Sequence, residues 1–153
     1  MSVSDRLEER GLVLPAVSRP GGNYVPATWV GDILFLAGQV AMRDGELVAT
    51  GRVGGEVTPE VAKTAAEVAV LNALAVAQDA IGSLDRIERV ARMTVYVASA
   101  PDFTGQSQVA NGASDLLVYL LGESGRHARS AVGMASLPIG SPVEVELTIQ
   151  VKR

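Results

Sequence analysis

The stretch from His127 to Val151, HARSAVGMASLPIGSPVEVELTIQV, limits what this chain can fold into more than any other. Val143, Val145, Leu147, Ile149 and Val151 alternate without a break with Glu144, Glu146, Thr148 and Gln150. A period of two with one valine-rich side describes a strand that rests one face on a core and leaves the other face polar. Such a strand needs paired neighbours and a layer over its apolar face. Just upstream, Ala128, Val132 and Met134 share one parity, while His127, Arg129, Ala131, Gly133 and Ala135 share the other. Arg129 therefore stands on a face whose following positions are almost bare of side chain. A guanidinium above a shallow floor suits a small carboxylate, which its fork can hold with two parallel bonds. A solvated strand arginine fits the same pattern.

The covering layer is legible upstream. Thr58-Pro59-Glu60 is a strong helix start, with a capping hydroxyl, proline at the first position and an acid at the positive dipole end. The helix is expected to run to Ile81 and stop at Gly82, apolar nearly all round except for Lys63, Glu67 and Gln78. A second helix is predicted to open at Asp102-Phe103, to bury Val109, Ala113, Leu116, Leu117, Leu120 and Leu121, and to close at Gly122 and Gly125. Arg89 to Val97 reads as a strand, with Met93, Val95 and Val97 on one face and Arg92, Thr94 and Tyr96 on the other. Gly31-Asp32 marks a hairpin between Trp29–Val30 and Ile33–Leu36, and Arg43 to Glu46 another tight turn. Gly38 interrupts the second arm, as glycine does where a ligand or backbone comes close. Residues 2–10 form a short helix capped by Ser2 or Ser4, within an N-terminal helical extension over 1–15. One α+β domain over 1–153 accounts for all of this.

Composition removes several kinds of function. The chain has no cysteine and one histidine, which excludes disulfides, thiolate chemistry and a histidine-rich metal centre; no metal or cofactor is expected. A net charge of −4 disfavours nucleic acid as a partner. The N-terminus is charged, and Asn72 and Asp79 interrupt the longest apolar run, so neither a signal peptide nor a membrane span is expected and the protein reads as cytoplasmic. Dinucleotide and nucleophile-elbow motifs are absent. Arg129, Glu144 and Tyr24 remain as candidates, with Asn111 and His127 behind them. Glu144 and Glu146 together also fit a solvated polar face, and His127 an edge-strand polar residue.

The candidates have a familiar arrangement. Tyr24, Ala37-Gly38-Gln39, Ala128-Arg129-Ser130, Leu137-Pro138 and Val143-Glu144-Val145 together resemble the Rid family, also called YjgF, over roughly residues 20–151. The spacings from Tyr24 to Gly38 and from Arg129 to Glu144 match those of its deaminating members. The resemblance implies a chorismate-mutase-like homotrimer with a mixed β-sheet and two helices packed on one face. It implies hydrolytic deamination of small 2-imino or enamino acids to 2-keto acids and ammonia at clefts between subunits. Arg129 would bind the carboxylate, and Glu144 would position or activate water. Tyr24 and Asn111 would line the pocket, and the backbone at Gly38 and Ala131 would meet the substrate. Two positions depart from the usual pattern: Ala131 replaces a frequent cysteine, and Ala37 replaces a frequent hydroxyl residue. His127 and the segment Ala110 to Ser114 look subgroup-like and hint at a different ligand. A non-enzymatic trimer binding small carboxylates is the alternative, and an endoribonuclease ranks last.

A distance argument points to the oligomer independently. If the last two strands run antiparallel and reverse at Leu137–Pro142, Glu144 lies level with about residue 135, roughly 20 Å from Arg129 at ~3.4 Å per residue. Within one chain the two side chains could not share a small molecule; a cyclic trimer would bring one subunit's arginine to its neighbour's glutamate.

Overall fold

The computed structural model describes residues 1–153. In chain order its elements are α1 (Val3–Glu9), β1 (Ala27–Val30), β2 (Ile33–Leu36), β3 (Gln39–Val40), β4 (Met42–Arg43), β5 (Glu46–Leu47), α2 (Pro59–Ile81), β6 (Ile87–Ala98), α3 (Gln106–Leu121), β7 (Ala128–Met134) and β8 (Val143–Val151). The main sheet has the order β1-β2-β8-β6-β7, and β3 continues alongside β8. Only β6 and β7 are parallel, because α3 carries the chain back across the sheet between them. All other pairings are antiparallel, so the sheet is mixed. β4 and β5 form a separate ribbon, whose Asp44-Gly45 turn takes positive φ at both residues.

The alternation in β8 is realised as burial. Val143, Val145, Leu147, Ile149 and Val151 are buried, and the four residues between them are half-buried. Across the sheet they meet Leu34, Val90, Met93, Val95 and Val97, and α2 and α3 cover this face. Each such aliphatic side chain contributes about 1.5–3 kcal/mol when fully withdrawn from water. The opposite face has no covering layer. Val30, Phe35, Val132 and Met134 are exposed there among Thr94, Tyr96, Glu144, Glu146 and Thr148.

α2 starts and stops where its sequence signals say. Thr58 Oγ1 accepts the Val61 N–H at 3.2 Å, Pro59 fills the first turn, and Gly82 ends the helix at φ +83°. One expectation needs correcting. By length and composition α2 does reach membrane-crossing size, and Asn72 does not break its apolar character. Two-thirds of its most apolar window is buried inside this domain (67%), which is the signature of a core helix. Asn72 fastens that helix to the strands: its Nδ2 donates to Val40 O at 3.0 Å and Met42 O at 2.9 Å.

The second correction concerns α3, which begins at Gln106 rather than at Asp102-Phe103. Pro101 to Phe103 form a turn in which the Phe103 N–H donates to Ala100 O, and the Phe103 ring packs on the core. Gly105 then caps the helix without a side-chain bond, and Gln106 Nε2 reaches back to Phe103 O and Ser99 Oγ. α3 comes so close to α2 at Gly112 that an added Cβ would lie 2.0 Å from Lys63 O. Gly112 is thus a packing glycine, which accounts for part of the Ala110–Ser114 segment in structural terms. α1 carries a capping box between Ser2 and Asp5. Its Val3 and Leu7 join the core, and Arg6 Nη1 donates to Tyr119 O and Leu120 O at the end of α3.

Candidate active site

Two groups of polar residues emerge, at different places on the sheet. The first is built on β7, the edge strand. Arg129 pairs with Met93, which puts its side chain on the helix-covered face, leaning across α3. Its Nη1 donates to Asn111 Oδ1 at 2.7 Å and Ser114 Oγ at 3.0 Å, and its Nη2 donates to Ser107 Oγ at 2.7 Å and Ser107 O at 3.3 Å. All four acceptors are neutral, and no carboxylate lies within ion-pair distance of this guanidinium. Four of its five N–H groups are engaged, while Nε–H is not. Ser107, Asn111 and Ser114 fall at helical spacing i, i+4, i+7, so they form one polar stripe along the side of the helix that faces Arg129. That stripe was readable in the sequence, where Asn111 stood as a candidate, Ser114 only as part of the Ala110–Ser114 segment, and Ser107 not at all. Ala131 lies two residues further along the same face of β7, half-buried, and a half-bare edge of backbone runs beside it.

The second group lies at the other end of β8. An open cavity of about 280 Å³ is lined by Ser18 to Gly21, Tyr24, Pro26, Gly38 to Val40, Met42, Asn72, Pro138, Ile139 and Glu144. Tyr24, Gly38 and Glu144 therefore line one cavity. Tyr24 is half exposed (54%), and its hydroxyl accepts the Gly21 N–H at 3.3 Å. Gly38 gives the acid its room: a Cβ there would sit 2.6 Å from Glu144 Oε1 and would push the carboxyl aside. Burial, and secondarily the neighbouring charge of Glu146, raises the Glu144 carboxyl above its ordinary range. Glu146 itself accepts the Tyr96 hydroxyl at 2.7 Å, which raises the tyrosine as well. Sequence reasoning missed Arg19 and Ile139 as lining residues. Ile139 has φ +54°, a conformation that a β-branched side chain takes only under constraint.

The two groups do not meet within the chain, though not for the distance reckoned from sequence. Glu144 pairs with Tyr96, and Tyr96 pairs with Val132, so Glu144 is level with residue 132 rather than 135. Three residues along and two strands across give roughly 14 Å between backbones. The estimate failed because residues 135–142 cross over β6 instead of closing a hairpin. The stronger separation is one of sides: Arg129 is on the helix-covered face, and Glu144 shares the uncovered face with Tyr96. The two side chains therefore start from opposite faces of the sheet.

A mixed sheet backed on one side by two helices matches the chorismate-mutase-like class of α+β proteins. The sequence profile described as "YjgF/chorismate_mutase-like, putative endoribonuclease" matches residues 4–151. Protein TCP17 of Trypanosoma cruzi is 42% identical over 149 residues, covering 97% of this chain and 93% of its own length. The crystal structure of Atu1372 from Agrobacterium tumefaciens, a protein of unknown function, is 43% identical with a TM-score of 0.92, covering 99% of this chain and 92% of that one. A structure from Shewanella oneidensis described as a "putative endoribonuclease" is 32% identical with a TM-score of 0.96, over 99% and 100% of the two chains. The chain belongs to the YjgF, or Rid, family.

Proposed function

We propose that this protein hydrolyses small reactive 2-imino acids to 2-keto acids and ammonia, in clefts formed between copies of a homotrimer. One observation carries the reading: a guanidinium with no carboxylate partner and a carboxyl raised by burial stand on opposite faces of one sheet. Assembly that sets the β7 edge of one copy beside the cavity of the next would unite them, and the exposed Val30, Phe35, Val132 and Met134 give the uncovered face a reason to be buried.

In such a cleft Arg129 receives the substrate carboxylate. Its Nη1 stays on Asn111 and Ser114, and the more exposed Nη2 exchanges Ser107 for the ligand, so the Nε–Nη2 edge makes the two-pronged contact. Holding the imine carbon beside Glu144 makes attack by water effectively intramolecular. With the imine bound as its protonated iminium, the carboxylate takes a proton from water as the oxygen bonds to the iminium carbon, which gives a neutral carbinolamine. The glutamic acid then protonates the amine, the C–N bond breaks as the C=O forms, the hydroxyl proton passes to the carboxylate and ammonia leaves; the proton the iminium brought is returned to solvent or ammonia. A carboxyl raised above its ordinary range suits a group that must both accept and return a proton.

The test is ammonia release from a 2-imino acid generated in situ. Arg129→Ala is expected to lower kcat/KM by at least a hundredfold; parity with wild type would sink the mechanism. A second reading is a trimer that only binds small carboxylates. It draws support from TdcF of Escherichia coli, a fold relative at 21% identity whose structure contains bound serine. Carboxylate binding lost in Arg129→Ala, unchanged in Glu144→Gln and unaccompanied by turnover would favour it. Endoribonuclease activity ranks behind both, since the chain is acidic and its cavity holds one cation, Arg19.

A further inference from the structure

From sequence His127 reads as an edge-strand polar residue ahead of a catalytic base, and Ser114 stands only as the end of the Ala110–Ser114 segment. In the structure they are joined. His127 Nδ1 lies 2.6 Å from Gly125 O, and its Nε2 lies 2.9 Å from Ser114 Oγ. Ser114 Oγ in turn receives Arg129 Nη1 at 3.0 Å. A carbonyl oxygen only accepts, so the ring proton must be on Nδ1. In the neutral ring Nε2 is then a bare acceptor, and the hydroxyl proton of Ser114 points at it. The serine lone pairs are left turned toward the guanidinium. With a neutral ring, one arrangement of protons satisfies the whole chain, from Nη1 through Ser114 and His127 to the backbone of the Gly122–Gly125 turn.

We propose that Ser114 and His127 are a positioning pair that orients Arg129 for its carboxylate. Without the histidine, the serine hydroxyl is free to turn back to its own helix carbonyl, four residues earlier, as mid-helix serines do. It would then present no fixed lone pair to Nη1. Without the serine, Nη1 keeps only Asn111, and the guanidinium is free to rotate about the bond that carries its fork. The pair touches the ligand at no point; it acts through Arg129. The inference rests on Arg129 being the anion receptor proposed above, but the arrangement of the pair does not.

Two measurements separate those levels. In protein labelled with ¹⁵N-arginine, the Arg129 Nη signals, assigned by their loss in Arg129→Lys, are expected to be resolved and slowly rotating in wild type. They should be averaged in Ser114→Ala and His127→Phe, and resolved again in Ser114→Thr, which keeps the hydroxyl. Separately, the Kd for pyruvate is expected to rise about tenfold in Ser114→Ala and to return within about twofold in Ser114→Thr. Alanine is the better helix former, so loss of fold is not the anticipated outcome. Unchanged Arg129 signals in Ser114→Ala would overturn the positioning pair. No pyruvate binding by wild type, with the signals behaving as described, would overturn the receptor role of Arg129 instead.

Discussion

Gly38 and Glu144 together show how much can depend on a single missing carbon. An added Cβ would fall 2.6 Å from Glu144 Oε1 and 3.0 Å from its Cδ. Those atoms are the free end of a flexible side chain, so the backbone has no need to move. Gly38→Ala is expected to lower kcat about tenfold or more by displacing the carboxyl, while the thermal midpoint stays within about 2 °C; a kinetic comparison with a melting curve checks both. Glu144 offers a second test. Its folded-state pKa is raised, so the native state holds the proton more tightly than the unfolded chain and stability falls as pH rises through the window above the ordinary carboxylate value. Solvent reaches about half of this side chain and weakens the effect, so Glu144→Gln should melt only slightly higher than wild type at neutral pH. The gain should vanish below the ordinary carboxylate range; a gain that persists there would point to packing, not titration. Of the site residues, Tyr24, Gly38 and Glu144 were legible because each is a chemical type in a recognisable setting. Ser107 and Ser114 were harder, because a serine in a helix is informative only once the arginine beside it is known.

α3 shows where elements could and could not be read from sequence. Its apolar positions and its closing glycines were plain, because helical spacing leaves marks in the residue types, Gly122 takes a positive φ, and Gly125 packs so close that a Cβ would meet Leu117 O at 2.2 Å. Its start was misplaced by several residues, because Asp102-Phe103 looks like a helix opening and the turn that draws Phe103 inward depends on the distant Gly54. The contact with α2 is the tightest constraint on the element. At Gly112 a methyl would meet the backbone of Lys63 at 2.0 Å, and backbone on both sides cannot yield as a side chain would. Gly112→Ala is therefore expected to destabilise by about 2–3 kcal/mol or more, despite the better helix propensity of alanine. A denaturant midpoint equal to wild type would mean that the helices separate at little expense. The strand pairing was the least legible level. The period of two in β8 says which side chains are buried, yet nothing in it says that β6 lies between β7 and β8. The resemblance implied an inserted strand, but that strand was reckoned to leave the register unchanged, whereas the crossover over β6 shifts it by three residues.

At the scale of the whole molecule, the sheet has one finished side and one unfinished side. Leu34, Met93, Leu147 and Ile149 are sealed beneath α2 and α3, while Phe35 and Val132 stand in the open with more than a third of their surface accessible (43% and 40%). The sequence announced that asymmetry through the valine and glutamate faces of β8, but not that Arg129 and Glu144 would be assigned to different sides. That assignment has a genetic corollary. If each reaction chamber borrows its arginine from one polypeptide and its acid from the next, then Arg129→Ala and Glu144→Gln proteins, each inert alone, carry complementary lesions. Unfolded together in equal amounts and reassembled at random, they should regain about a quarter of the native rate, because one junction in four joins two intact halves. Co-expression would show the same rescue, and two dead alleles would make one living enzyme.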